Sequence, residues 1–411
     1  MNTPAPRRDL LPLNEAIERL LASTRPIAET EEVSTFEALG RVLARDLKST
    51  LDVPPLDNSA MDGYALRVAD VPAAGTLLPV SQRVAAGQVG APLQPGTAAR
   101  IFTGAPVPEG ADAVVMQELC TAQGDGVRID TLPQPGQAIR RRGEDVREGS
   151  VVLTRGMRLS PQALGLAATV GAASVTVTRR PRVALFSTGD ELAMPGEPLK
   201  PGAIYNSNRY TLRGLLQALG CVVTDLGIVP DRLDATREAL RRAAEGSDLI
   251  VTSGGVSVGE EDHLKPAVQA EGRLDLWQVA IKPGKPLAFG EVRSSHGHPA
   301  LFIGLPGNPV SSFVTFLVSV RPVLMALQGM AWREPQGMAV RADFDWPRPD
   351  KRREFLRARR NAGGGLELFP NQGSGVLTSV VWADGLVDLA PGQTVRAGET
   401  VRFLPMSELL A

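Results

Sequence analysis

Leu249-Ile250-Val251-Thr252-Ser253-Gly254-Gly255-Val256-Ser257-Val258-Gly259 decides how this chain is read. The three leading apolar residues predict a buried strand. It opens into small residues and then an acidic cluster, Glu260, Glu261 and Asp262. Glycines and small hydroxyl residues at a strand end let an anion approach the main-chain N–H groups. Carboxylates behind them suit a divalent cation held against that anion. Open α/β sheets bind ligands at this edge.

Working outward, the same pattern recurs from Arg182 to Leu327. Strands are predicted at Val183–Phe186, Cys221–Leu226, Leu249–Val251, Leu287–Phe289 and Ala300–Ile303, and helices at Asn208–Leu219 and Leu233–Ala244. A last helix starts at Pro309, with proline in a favourable first-turn position. Strands alternating with helices through short links predict a three-layer α/β/α domain with a mostly parallel sheet, residues 179–328.

The flanking regions read differently. Asn14 reads as an N-cap ahead of Ile17, Leu20 and Leu21, and Phe36 to Leu43 as a second short helix. From 51 to 150, short alternating runs broken by Gly and Pro predict a β-rich domain. Ser160 to Val170 reads as a helix. After Gln328 helices are expected to stop, and residues 329–411 read as another β-rich domain.

Length and composition restrict the function classes. A chain of 411 residues exceeds one ordinary domain. The formal net charge of -1 gives no global pull towards nucleic acid or a membrane surface, and 4% aromatic residues argue against base-stacking platforms. Cys120 and Cys221 are the only cysteines, so a disulfide framework is not expected. The Pro309–Ala326 stretch is interrupted by Arg321-Pro322 and reads as too short to span a bilayer. The first residues hold no apolar signal core. The expectation is a cytoplasmic protein with no nucleic-acid or membrane partner. His263, His296 and His298 are the only histidines and show no zinc spacing.

Three glycine-bearing loops fall at predicted strand ends: Ser187-Thr188-Gly189-Asp190-Glu191, the Thr252 loop, and Gly304-Leu305-Pro306-Gly307-Asn308-Pro309. Each alone is an ordinary turn. Together they predict a crevice for a phosphorylated ligand, with Thr188, Gly189, Ser253, Gly254, Gly255, Ser257, Gly307 and Asn308 as its candidate contacts. Asp190, Glu191, Asp231 and Asp262 suit either helix capping or a Mg²⁺ shell. Lys282-Pro283-Gly284-Lys285-Pro286 puts two ammonium groups on a stiff turn, which suits an oxyanion. Lys351-Arg352-Arg353 begins a basic stretch from which one arginine could clamp a tetrahedral oxyanion, and Asn371-Gln372-Gly373-Ser374-Gly375 offers a hydroxyl nearby in sequence. Asp57–Ala65, Ile101–Pro106 and Arg142–Asp145 read as polar turns.

In this order, Asp57–Ala65, Phe102–Pro108, Ser187–Leu192, Thr252–Asp262, Lys282–Pro286 and Leu305–Ser311 together resemble the molybdopterin molybdenumtransferase family, which includes the C-terminal domain of gephyrin. The resemblance runs from Pro12 to Leu404. It implies an elongated homodimer of four domains: 1–50 with 151–178 as a mixed α/β domain, 51–150 inserted and β-rich, 179–328 as the α/β molybdopterin-binding domain, and 329–411 as a C-terminal β-barrel-like domain. It implies Mg²⁺-dependent insertion of molybdate into adenylylated molybdopterin with release of AMP. Glu191, Asp231 and Asp262 match the acidic, catalytic and metal-binding positions. Asp62, Thr103 and Asp145 match positions expected to approach the partner subunit's site. Lys282, Lys285, Ser311, Arg353 and Ser374 match the molybdate-handling region. Gln278 departs from the lysine of many relatives. Transient contact with a molybdopterin adenylyltransferase and with acceptor molybdoenzymes is also implied. The alternatives are a molybdopterin adenylyltransferase, or a non-catalytic scaffold related to gephyrin.

Overall fold

The structure is a computed structural model that describes residues 10–256, 263–295 and 297–410. Ser257, Asp262 and His296 therefore lie outside the described residues. By its contacts the chain forms two compact units: residues 1–31, 40–42 and 177–411 in one, residues 32–39 and 43–176 in the other.

In the first unit the chain runs through α1 (Leu13–Ser23), β1 (Arg182–Thr188), α2 (Ser207–Ala218), β2 (Val222–Val229), α3 (Leu233–Ala244), β3 (Leu249–Ser253) and α4 (Leu264–Glu271). It continues with β4 (Gly272–Gln278), β5 (Ile281–Lys282), β6 (Pro286–Val292), β7 (Ala300–Leu305) and α5 (Pro309–Thr315). Six of these strands form one sheet in the order β2-β1-β3-β7-β6-β4. The first four are parallel; β6 runs antiparallel to both β7 and β4.

Alternation along the strands creates the three layers. Val183, Leu185, Leu249, Val251, Leu301 and Ile303 face a core shared with α1, α2 and α5. Ala184, Phe186, Ile250 and Phe302 face the opposite core, built with Leu240 and Ala243 of α3 and Ala267 and Val268 of α4. Both faces are covered, which is why these strands read as continuous apolar runs. Strand β4 was not expected. It alternates Leu274 and Leu276 with Arg273 and Asp275, while Trp277 stacks 5.4 Å from Phe289 on the neighbouring strand.

The proline-interrupted helix does not break. A π-turn at Phe316–Val320 joins α5 to α6 (Arg321–Leu327), placed just before Pro322, whose ring nitrogen has no proton to donate. The run Pro309–Leu327 is long and apolar enough to cross a membrane, but 89% of it is buried inside this unit.

The rest of this unit holds β8 (Met338–Arg341), β9 (Arg353–Arg360), β10 (Leu366–Leu368), α7 (Thr378–Trp382), β11 (Gly385–Leu389), β12 (Thr400–Pro405) and α8 (Met406–Leu409). The sheet order is β5-β9-β11-β12-β8, with β10 also on β9. Strand β5 thus leaves the α/β region to pair in parallel with β9, setting Lys282 beside Glu354. Phe355, Leu386 and Leu404 join the α/β core, while Leu356, Val387 and Phe403 fill a core of their own. Helices do not stop at Gln328: α7 and α8 are short exceptions.

The second unit is mainly β. Its six-stranded sheet runs Ala113–Met116, Gly63–Leu66, Ala98–Ile101, Thr76–Val84, Gly126–Ile129, Cys120–Gln123. The expected helix near Ser160 spans Pro161–Thr169, with the Ser160 hydroxyl accepting from Ala163 N–H at 3.3 Å. Two local expectations fail. Phe36 to Leu43 is only one 3-10 turn, Thr35–Glu37, because Gly40 at φ 71° ends any helical path. Helix α1 begins at Leu13 after Pro12 and has no side-chain cap, so Asn14 lies inside it.

Candidate active site

The carboxyl ends of β1, β3 and β7 surround a cavity of about 340 Å³. Thr188, Gly189 and Glu191 contribute from the β1 loop, Gly254 and Gly255 from the β3 loop, and Pro306, Gly307 and Asn308 from the β7 loop. Asp231, between β2 and α3, and Ser311 in the first turn of α5 complete the polar wall.

The glycines answer to close packing. Gly254 has φ 92°, and a Cβ there would lie 2.7 Å from the Thr188 carbonyl oxygen. Gly255 has φ 66°, and its Cβ would lie 2.9 Å from Thr188 Oγ1. Gly254 thus meets the Thr188 backbone and Gly255 its side chain, and with both at positive φ glycine is the residue that fits. Gly254 N–H donates to the Leu305 carbonyl at 3.1 Å, joining the third loop.

Asn208 holds two of these loops and was not singled out in the sequence. Buried in α2, it donates from Nδ2 to Ser253 Oγ and to the Gly307 carbonyl, both at 2.7 Å. Asn206, two residues earlier, caps α2 by accepting from Arg209 N–H at 3.2 Å. The only sequence signal was the Asn206-Ser207-Asn208 cluster at a helix start, which reads equally well as capping. Ser253 therefore serves as a buried tether and does not line the cavity.

Glu191 and Asp231 present carboxylates to the same cavity, and Asp231 N–H donates to Asp190 Oδ1 at 3.3 Å. These are hard oxygen donors of the kind Mg²⁺ takes, so the residues present fit such an ion. No group of three or more metal-ligating side chains is assembled among the described residues.

The cationic candidates are mostly paired. Lys282 Nζ lies 2.8 Å from Glu354 Oε1 and 3.3 Å from Asp350 Oδ2. Burial works to lower its pKa, but these carboxylates outweigh burial and hold it above its ordinary value. Arg353 forks onto Asp388, with Nε at 2.7 Å and Nη2 at 2.6 Å, and Nη2 also reaches Glu334 at 2.6 Å. The Asp388 carboxylate holds Arg353 above the usual range despite its burial. Lys285 makes no ion pair among the described residues. Ser374 joins the site through its backbone: its carbonyl accepts from Val310 N–H at 2.9 Å, beside Ser311.

Asp62, Thr103 and Asp145 belong to the second unit. Asp62 Oδ1 accepts from both the N–H and the hydroxyl of Thr103 at 2.8 Å. The Thr103 N–H, then its hydroxyl, pull the Asp62 carboxyl below its ordinary range. Asp145 is exposed and donates its N–H to the Val53 carbonyl. The turn before it is fixed by Asp57, which accepts from Arg141 Nη1 at 2.7 Å and Arg142 N–H at 2.8 Å.

Comparison with known proteins accounts for this arrangement. Residues 11–171 match the MoeA N-terminal region (domain I and II), residues 184–326 a probable molybdopterin binding domain, and residues 339–406 the MoeA C-terminal region (domain IV). A molybdopterin molybdenumtransferase of Haemophilus influenzae is 40% identical over 408 residues, covering 98% of this chain and 100% of that protein.

The chain belongs to the molybdopterin molybdenumtransferase family.

A second family member, from Nostoc sp., is 38% identical over 92% of this chain and 89% of its own length. A crystal structure of the molybdopterin biosynthesis moeA protein of Pyrococcus horikoshii OT3 superposes with a TM-score of 0.83, at 31% identity, over 97% of this chain and 100% of that one. The family's fold is thus the fold seen here: a molybdopterin-binding α/β region with a β-rich N-terminal part and a β-rich C-terminal part. The kinship extends to an enzyme family of molybdenum cofactor biosynthesis.

Proposed function

We propose that this chain inserts molybdate into adenylylated molybdopterin and releases AMP, in the cytoplasm and with Mg²⁺. What carries the reading is a cavity lined together by three strand-end glycine loops and by Glu191 and Asp231. Full-length kinship to proteins named molybdopterin molybdenumtransferase supports it.

The close-packed Gly254 and Gly255 backbone gives the nucleotide-linked phosphates a surface without side chains. Glu191 and Asp231, with Asp262, would hold Mg²⁺, which supplies charge neutralisation for the phosphates. Ser311, Ser374 and Lys285 would orient the molybdate substrate beside the dithiolene sulfurs, with Lys282 and Arg353 adding directed N–H donors and no net charge, since carboxylates already pair with both. A water or molybdate oxygen attacks the adenylyl phosphorus, the bridging P–O bond breaks with its oxygen leaving on the pterin phosphate, and fixed dipoles and charges that need no reorganisation stabilise the charge that develops.

We further propose a homodimer in which Asp62, Thr103 and Asp145 of one copy complete the site of the other, with transient contacts to the adenylyltransferase and acceptor molybdoenzymes. Mixing inactive Glu191→Gln and Asp62→Asn proteins then restores up to about a quarter of the activity, because one site per mixed dimer is intact. No recovery despite subunit exchange contradicts the shared site. The activity itself is tested by AMP release from adenylylated molybdopterin. AMP formation that requires both molybdate and Mg²⁺ is expected. Adenylylation of molybdopterin from ATP, with no consumption of the adenylylated form, would instead make the chain an adenylyltransferase.

A further inference from the structure

The charges around β9 cancel. Lys282, Arg352, Arg353 and Arg402 pair with Asp350, Glu354, Asp388 and Glu334, four cations against four carboxylates. A tetrahedral dianion reaching this network meets no net positive charge from it.

Arg357, on the same strand, is different. It is 1% exposed, and among the described residues its guanidinium donates only to neutral oxygens: Nε to Ser379 Oγ at 3.1 Å, Nη1 to the Phe355 carbonyl at 3.1 Å and Nη2 to the Gly373 carbonyl at 3.3 Å. No carboxylate pairs with it among the described residues. A buried cation without an anion is costly to keep, which asks for a compensating reason.

Its contacts lead to the cavity. Arg357 N–H donates to Gln372 Oε1 at 2.9 Å, and Gln372 Nε2 donates back to the Arg357 carbonyl at 2.9 Å. Gly373 is gripped by the guanidinium, and the next residue, Ser374, accepts from Val310 N–H beside Ser311 in the cavity wall. A fork with several fixed donors sets such a loop more firmly than a single ammonium would.

Resting on the proposed reaction, we propose that Arg357 is a positioning residue for the oxyanion substrate: it sets the Gly373-Ser374 loop against α5 and supplies unpaired positive charge beneath it. Because it lies in the interior, its field is weakly screened by salt.

The test compares Arg357→Met and Arg357→Lys with the parent protein. Molybdate binding is measured by calorimetry at constant ionic strength set with perchlorate, and KM is measured separately for molybdate and for adenylylated molybdopterin. The expected result is a molybdate Kd and KM raised about tenfold in Arg357→Met, corresponding to about 1.4 kcal/mol. Arg357→Lys recovers part of that loss, and KM for the pterin substrate stays within about twofold of the parent, on the scale where tenfold is 1.4 kcal/mol. Unchanged molybdate affinity in a folded Arg357→Met protein overturns the proposal, as does equal weakening of both substrates. If Arg357→Met does not fold, Arg357→Lys decides: molybdate affinity equal to the parent's overturns the assignment, and a selective loss supports it. A parent protein that binds molybdate through Arg357 but releases no AMP would sink the proposed reaction and leave this inference standing.

Discussion

Lys282 and Glu354 face each other across two strands from distant parts of the chain, with the ammonium 2.8 Å from the carboxylate. Glu354 is 1% exposed and also accepts from Trp346 Nε1 at 3.0 Å. This contact lies within the C-terminal sheet, which β5 enters from the segment between β4 and β6, and it anchors the strand that leads into the stiff turn carrying Lys285.

Glu354→Gln removes the charge from a buried partner of a half-exposed lysine. Screening at Lys282 reduces the usual cost of breaking a buried pair, so stability falls by about 1–2 kcal/mol in urea unfolding. The pH dependence has a definite sign. The folded pKa of Lys282 is raised above 10.5, so its contribution is fully present below that value and is lost as pH rises through the raised pKa. The stability gap between parent and variant therefore narrows above that pH. A gap that widens there contradicts the pairing.

Asn208→Leu keeps the approximate size of the side chain and loses both tethers. Leaving Ser253 and the Gly307 carbonyl without this donor costs about 1–3 kcal/mol. Turnover falls more than tenfold as the β3 and β7 loops separate, on the ground that small misplacements in a preorganised site are costly. Full activity in the variant would show that the tether does not shape the site.

Gly254→Ala meets the Thr188 carbonyl and a positive φ together. We expect a loss of at least about 1–2 kcal/mol and weaker binding of the pterin substrate. Gly214→Ala is the control. It lies in α2 with nothing within 4 Å of its Cβ, and it should stabilise the protein by up to about 1 kcal/mol. Thermal and denaturant unfolding of both variants distinguish loop geometry from a general intolerance of substitution.

Thr103→Val removes the hydroxyl donor to Asp62 and keeps the backbone N–H. Carbon-detected NMR titration should place the Asp62 carboxyl higher in the variant. In the parent, the folded pKa is depressed, so the contact's contribution is present above the ordinary 3.8 and is lost as pH falls through the lower value. An unmoved titration would mean that the hydroxyl is not a donor to Asp62 in solution.

The α/β region was the most legible part of the chain. Val183–Phe186, Leu249–Val251 and Ala300–Ile303 are buried on both faces, and continuous apolar runs announce that burial. Strand β4 was missed because its polar residues dilute the pattern. The glycine loops were legible as a set, since local composition reveals positive φ and close backbone approach. Partnerships across long sequence separations were not. Nothing in the sequence near Lys282 announces its partner Glu354, nor near Arg353 its partner Asp388, and so both cations read as open to an anion. Arg357 looked like one more member of a basic run. Only the packed strand shows that it is buried while its neighbour Arg359 pairs at the surface with Glu367. Asn208 was hidden for a related reason, because its partners Ser253 and Gly307 come together only when β3 and β7 lie side by side.

The most direct measurement counts AMP released and molybdenum retained in the product during one turnover of adenylylated molybdopterin. The account predicts that one molybdenum atom is incorporated for each AMP, and that neither appears when molybdate or Mg²⁺ is withheld. AMP released at full rate into a molybdenum-free product would contradict it.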